Sequence, residues 1–168
     1  MQANDLFSKL SKTQRSAIFD DLYEKERETY RAVMSVLSTR RKLRPVFLER
    51  KPRPERNQWM AEMLSRILNN DLAAEVLQNW LLKCHEPMIL SFLNKLNIPH
   101  DGHGLIEETP NESDPALLEE AVQELQAKYP EWLVATYLNL FIEMAPDAWP
   151  TLSKLLINDP KLALNDAN

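Results

Sequence analysis

NDLAAEVLQNWLLKCHEPMILSFLNKLNIPHDG, residues 70–102, contains the pattern on which the reading of the whole chain rests. Leu72, Val76, Leu77, Trp80 and Leu81 recur at steps of one, three and four, which gathers them on one face of a helix with 3.6 residues per turn. Asn70 or Asp71 is suited to start that helix. Pro87 has no backbone N–H and is tolerated only in a helix's first turn, so it opens a second rod. On that rod Met88, Ile89, Phe92, Leu93 and Leu96 share a face. The stretch closes at Pro99 and at Asp101-Gly102, a good two-residue turn flanked by Ile98 and Leu105-Ile106, where a small hairpin or an ordered loop is expected.

Working outward, the rest of the chain repeats this grammar of apolar-periodic runs cut by proline. The 168 residues hold eleven prolines but only two glycines, Gly102 and Gly104. Tight hairpins and phosphate-cradling loops need residues that tolerate positive φ, so neither an all-β fold nor a P-loop is expected. Toward the C-terminus, a shift of sixty-one positions lays Ala74 on Ala135, Leu77 on Leu138, Trp80 on Phe141 and Leu81 on Ile142. A shift of sixty lays Phe92 on Leu152 and Leu96 on Leu156. The expectation is two related three-helix repeat units, 57–100 and 116–160, sharing a core. The acidic ETPNESDP between them reads as an exposed linker. Pro130 and Pro146 mark helix boundaries, and the final NDAN is expected to fray.

Toward the N-terminus, Leu6, Phe7 and Leu10 line a short amphipathic piece. One long helix is then expected from Ser11 or Thr13, capped by a hydroxyl. Along it Phe19, Tyr23, Glu26, Tyr30, Val33 and Leu37 form a heptad seam interrupted by one glutamate, flanked by Leu22 and Met34. The stripe is expected to pack on the protein's own body; a homodimer through residues 11–42 is the other use of such a seam. Pro54 begins the next helix, with Trp59, Met60, Met63, Leu64, Ile67 and Leu68 on one broad face and Asn69 or Asn70 at its end.

Between these parts lies RRKLRPVFLERKPRPER, residues 40–56, with eight basic and two acidic side chains. It carries +6, whereas residues 1–39 are neutral and residues 57–168 carry −11. Val46, Phe47 and Leu48 read as an apolar plug docked on the body while the charges face water. A cationic strip of this kind serves either to neutralise the acidic body, to hold an acidic protein partner, or to bind phosphates with a ring free to stack on a base. The chain's pI near 5.3 sets nucleic acid behind the other two. Candidate partner-binding residues are Arg40, Arg41, Lys42, Arg44, Phe47, Arg50, Lys51, Arg53, Arg56 and Trp59. Trp80 and Trp132 are expected in the core; Trp59 and Trp149 are divided between core and surface.

Chemistry-bearing residues are few. Cys84 and His85 point to different faces of a helix, and His100 and His103 sit in a turn, so no zinc spacing is present. Cys84 lacks a histidine placed to activate it, and the pairs Glu107-Glu108 and Glu119-Glu120 read as a solvated face. One cysteine makes no internal disulfide, and no secretory signal or membrane-length apolar run is visible. The sequence therefore predicts an all-α multi-helix bundle: an N-terminal helical arm (1–42), a basic connector (43–56) and two helical units (57–112 and 113–164). The function expected is that of a soluble, cytoplasmic, non-enzymatic interaction or scaffold protein without cofactor. A nucleic-acid-associated regulator is the alternative, and an enzyme without a recognisable motif the third.

Overall fold

The computed structural model describes residues 1–67, 69–112 and 114–164. Leu68, expected on an apolar helix face, and the tail 165–168, expected to fray, lie outside them. Among the described residues there are ten α-helices and one 3-10 turn, and no strand. The chain divides into two compact units, Ala3–Cys84 and everything from His85 onward, with Met1–Gln2 grouped with the latter. The boundaries expected at 42, 56 and 112 all fall inside these units.

The first unit contains α1 (Ala3–Lys9), α2 (Lys12–Lys25), α3 (Arg27–Arg40), α4 (Pro45–Glu49), α5 (Arg53–Arg66) and α6 (Asn70–Cys84). Ser11 caps α2 in a reciprocal box: Gln14 N–H donates to Ser11 Oγ (3.2 Å) and Ser11 N–H donates to Gln14 Oε1 (2.8 Å). The long helix expected beyond it is two helices, broken at the glutamate that interrupts the seam. Glu26 leaves helical geometry (φ −144, ψ 66), closing α2 with its N–H on Leu22 and opening α3 with its carbonyl. A straight rod over both would run roughly 42 Å, against roughly 21 Å for α5 at 1.5 Å per residue. The break lets α2 and α3 each pack against both α5 and α6. Phe19, Leu22, Tyr30, Val33, Met34 and Leu37 are all buried as a result. Phe7, Phe19 and Tyr30 then form an edge-to-face chain with centroids 6.3 and 6.4 Å apart. Asn69 does not end α5; its Oδ1 accepts from Leu72 N–H (3.2 Å) and so starts α6, which lies on α1 and α2.

The second unit contains α7 (Glu86–Lys95), α8 (Pro115–Lys128), α9 (Glu131–Glu143), the 3-10 turn Pro146–Ala148 and α10 (Pro150–Asn158). Helix α9 is buried on every side from Leu133 to Ile142, as the central rod of a bundle must be. Helices α8 and α10 pack on it, and α8 packs on α7. Lys95 ties that last pair through Glu124 (2.9 Å) and Glu120 (3.3 Å). The turn at Asp101-Gly102 is an ordered loop: Asp101 Oδ1 accepts from His103 and Leu105 N–H at 2.8 and 3.0 Å. Both glycines take positive φ, +93 and +96. The exposed-linker reading of ETPNESDP needs correction. Pro110 carbonyl accepts from Trp149 Nε1 (2.8 Å), and the Glu112 carboxylate accepts from Thr151 and Leu152 N–H at the start of α10 (3.0 and 3.3 Å). A carboxylate on those orphan donors offsets both their desolvation and the helix dipole.

An aromatic core fills this unit. Phe92 meets Tyr137 and Phe141 edge-on at 5.5 Å, and Phe141 meets Trp149 at 5.0 Å. Tyr137 is buried, which pushes its phenol pKa upward, and its hydroxyl has no hydrogen-bond partner among the described residues. An unsatisfied buried hydroxyl costs about 1–3 kcal/mol, so Tyr137→Phe should stabilise the unit, by about 1 kcal/mol. Chemical denaturation measures this; a loss of stability on removing the oxygen would contradict it.

Candidate functional site

The basic strip does not act as one surface. Its N-terminal part runs from the last residue of α3 through a turn into α4. Arg40, Arg41, Lys42, Arg44, Arg50 and Lys51 are all exposed there. Lys42 makes the turn with φ 56, a left-handed conformation uncommon for a lysine. Pro45 sits in the first turn of α4, a single short helix. The plug expected of Val46, Phe47 and Leu48 is only one residue deep: Leu48 is 2% exposed, whereas Val46 is 43% and Phe47 56% exposed. A five-residue helix has room to bury one side, and Leu48 takes it. Val46 and Phe47 are left on the outer side, with Arg50 three and four positions on, where helix geometry brings side chains together. Leu43 is exposed alongside. Arg40, Lys42, Arg44 and Arg50 make no side-chain hydrogen bond or ion pair among the described residues, while Lys51 makes a long exposed pair with Glu55 (3.9 Å).

The C-terminal part turns inward, but onto residues 1–39 and not onto the acidic body 57–168 that the neutralising role called for. Arg53 pairs with Glu24 and, at 3.3 Å, with Asp20, both on α2. Arg56 is 9% exposed. Its Nε donates to the Tyr30 hydroxyl (2.8 Å) and its Nη1 to the Glu49 carbonyl (3.3 Å). Tyr30 donates to Asn57 Oδ1 (2.5 Å), and Asn57 Nδ2 donates to Asp20 Oδ1 (2.8 Å). Burial pushes the Tyr30 phenol upward and the bond from Arg56 pulls it back. This chain of bonds staples α2, α3 and α5 together, and sequence reasoning missed Asp20, Tyr30 and Asn57 as its members.

Beside it lies a cleft of about 240 Å³ between α2, α3, α4 and α5, lined by Tyr23, Arg27, Tyr30, Arg31, Met34, Glu49 and Arg56. Arg27 lies over the Tyr23 ring at 4.2 Å and donates its Nε–H to Tyr23's own carbonyl (3.0 Å). The Arg53 and Arg56 guanidiniums are 5.0 and 5.5 Å from the same ring. The signal that could have found this place is the spacing Tyr23, Arg27, Tyr30, Arg31: alternating rings and guanidiniums at helical steps.

Trp59 is half-buried and lines a different hollow, of about 280 Å³, with Arg41, Leu43, Glu62, Met63 and Arg66. Arg41 Nε points to Met63 Sδ there at 3.0 Å. Trp149 and Trp80 are buried, and Trp132 is half-buried. Cys84 is half-buried, and desolvation together with the charge of Asp21 raises its thiol to about 11. At neutral pH it is a protonated thiol and a poor nucleophile. Among the described residues no three His, Cys, Asp or Glu side chains are gathered for a metal ion, and no helix is long and apolar enough to cross a membrane. The chain matches no family model, and comparison with curated proteins and with solved structures finds no match.

Proposed function

We propose that this is a non-enzymatic helical interaction protein whose α3–α4 corner holds an acidic protein partner. The supporting observation is that Arg40, Lys42, Arg44 and Arg50, unpaired among the described residues, and the apolar Leu43, Val46 and Phe47 are all exposed within residues 40–50. Exposed apolar side chains amid mostly basic neighbours, with Glu49 the one exposed carboxylate of the stretch, suit a partner that offers an apolar pocket with an acidic rim. Arg53 and Arg56 are withdrawn from that surface by their own bonds. Action by binding also accords with a Cys84 thiol held protonated and with carboxylate pairs that stand in solvent. A reducing cytoplasm is the compartment proposed, on the strength of the lone cysteine.

The test is affinity purification at moderate salt with the wild type, a corner variant (Arg44→Glu, Phe47→Ser, Arg50→Glu) and a control at the exposed Ile157 (Ile157→Ser). Proteins lost only with the corner variant, and acidic where they touch it, are the expected outcome. An identical set from all three baits sinks the proposal. Phe47 between two arginines also fits an unstacked base. If nucleic acid is the partner, four phosphate contacts give a slope of log K against log salt of roughly −3 to −4. A slope near zero removes that alternative.

A duplication of residues 57–100 as 116–160 is retained as a proposal too. Leu77 and Leu138, Trp80 and Phe141, and Phe92 and Leu152 are buried on both members of each pair. Helices α5 and α6 nevertheless belong to one compact unit and α7 to the other.

A further inference from the structure

Arg56 presents a physical anomaly: a guanidinium only 9% exposed whose bonds all go to neutral groups. No carboxylate lies within ion-pair distance of it among the described residues, although burying an uncompensated charge is expensive. The tyrosine rings, each 5.5 Å from its Cζ, offset part of that cost. Two of its five N–H donors are used, so three remain for another acceptor. Arg27 and Arg31 line the same cleft, likewise without a carboxylate partner among the described residues. With Glu49 the only acidic side chain in the lining, the cleft carries a net +2.

We infer that this cleft is a binding site for a phosphate monoester, separate from the corner proposed above and independent of it. The charge matches: a monoester carries about −1.5 to −2 at pH 7. The size matches as well, because about 240 Å³ lies below the ~300–1,000 Å³ of whole-cofactor pockets and suits a single anionic group. The lining guanidiniums come from two helices, Arg27 and Arg31 from α3 and Arg56 from α5, and a planar guanidinium fork suits a tetrahedral oxyanion. The group is carried by a small phosphorylated molecule or is inorganic phosphate, which presents the same oxygens without the ester bond.

The experiment is titration of the full chain with inorganic phosphate, phosphoserine and inositol 1-phosphate, followed by calorimetry and by the arginine Nε–Hε resonances. Saturable one-to-one binding that moves Arg27, Arg31 and Arg56 is expected, and the tightest of the three probes identifies the source. Arg31→Gln, an exposed change that leaves the fold intact, should weaken binding at least tenfold, while Glu49→Gln should tighten it. Affinity should rise from pH 5.5 to 7.5, because the ligand loses its second proton near pH 6. Binding that never saturates, that chloride reproduces, or that Arg31→Gln leaves unchanged overturns the inference. Loss of binding here leaves the corner's partner set unaltered, so the two proposals fail separately.

Discussion

Replacing Trp80 by alanine is expected to cost the first unit about 3–5 kcal/mol, the largest single effect we anticipate in the molecule. Trp80 is fully enclosed on α6, and its Nε1–H donates to Asp21 Oδ2 on α2 at 2.9 Å. Two contributions are thus combined in one side chain. Truncation opens a cavity beneath α2, and it also strips a half-buried carboxylate of a donor. Trp80→Phe largely separates them, since the phenyl ring keeps most of the volume while the indole N–H is lost together with a minor part of the ring system. That variant should lose about 1–2 kcal/mol, the worth of a hydrogen bond to a charged acceptor plus a small packing defect. Chemical denaturation followed by far-ultraviolet circular dichroism gives both values. Equal losses for the two variants would mean that the bond to Asp21, and not packing, dominates.

The helical class and the core were legible because they depend on residues a few positions apart. Leu72 to Leu81 and Met88 to Leu93 repeat at helical steps, and these positions are buried. The serine before α2 was equally readable, since a capping box is a local contact. What could not be read are choices made by partners far along the chain. Arg50 and Arg53 are three residues apart in the same cationic strip, yet one faces solvent and the other faces Asp20 and Glu24. Those carboxylates lie some thirty positions upstream, and nothing in the strip announces them. Glu112 is a second case: within an acidic run it looks solvated, but α10 begins thirty-eight positions later with N–H groups that need an acceptor. The break at Glu26 is intermediate. A glutamate on an apolar seam was visible, but the need to fit two helices on a shorter one arises only in the folded unit.

Asn57 is where the second large effect is expected. The side chain is fully buried at the junction of α2, α3 and α5, accepting from Tyr30 and donating to Asp20. Asn57→Ala leaves the Tyr30 hydroxyl without its acceptor and removes a donor from Asp20, so a loss of about 2–4 kcal/mol follows from the desolvation of the stranded groups and the space left behind. Tyr30→Phe should cost about 1–2 kcal/mol, because it strips Arg56 Nε of its acceptor as well. The two residues share one bond, so the double variant should lose less than the sum by about 1 kcal/mol. Strict additivity would show that the bond contributes nothing of its own and that Asn57 acts through Asp20 alone. The same network holds Arg56 on the cleft side of α5. Asn57→Ala should therefore loosen that guanidinium, sharpening its exchange with solvent in the arginine Nε–Hε spectrum, while Arg44 and Arg50 at the corner keep theirs unchanged.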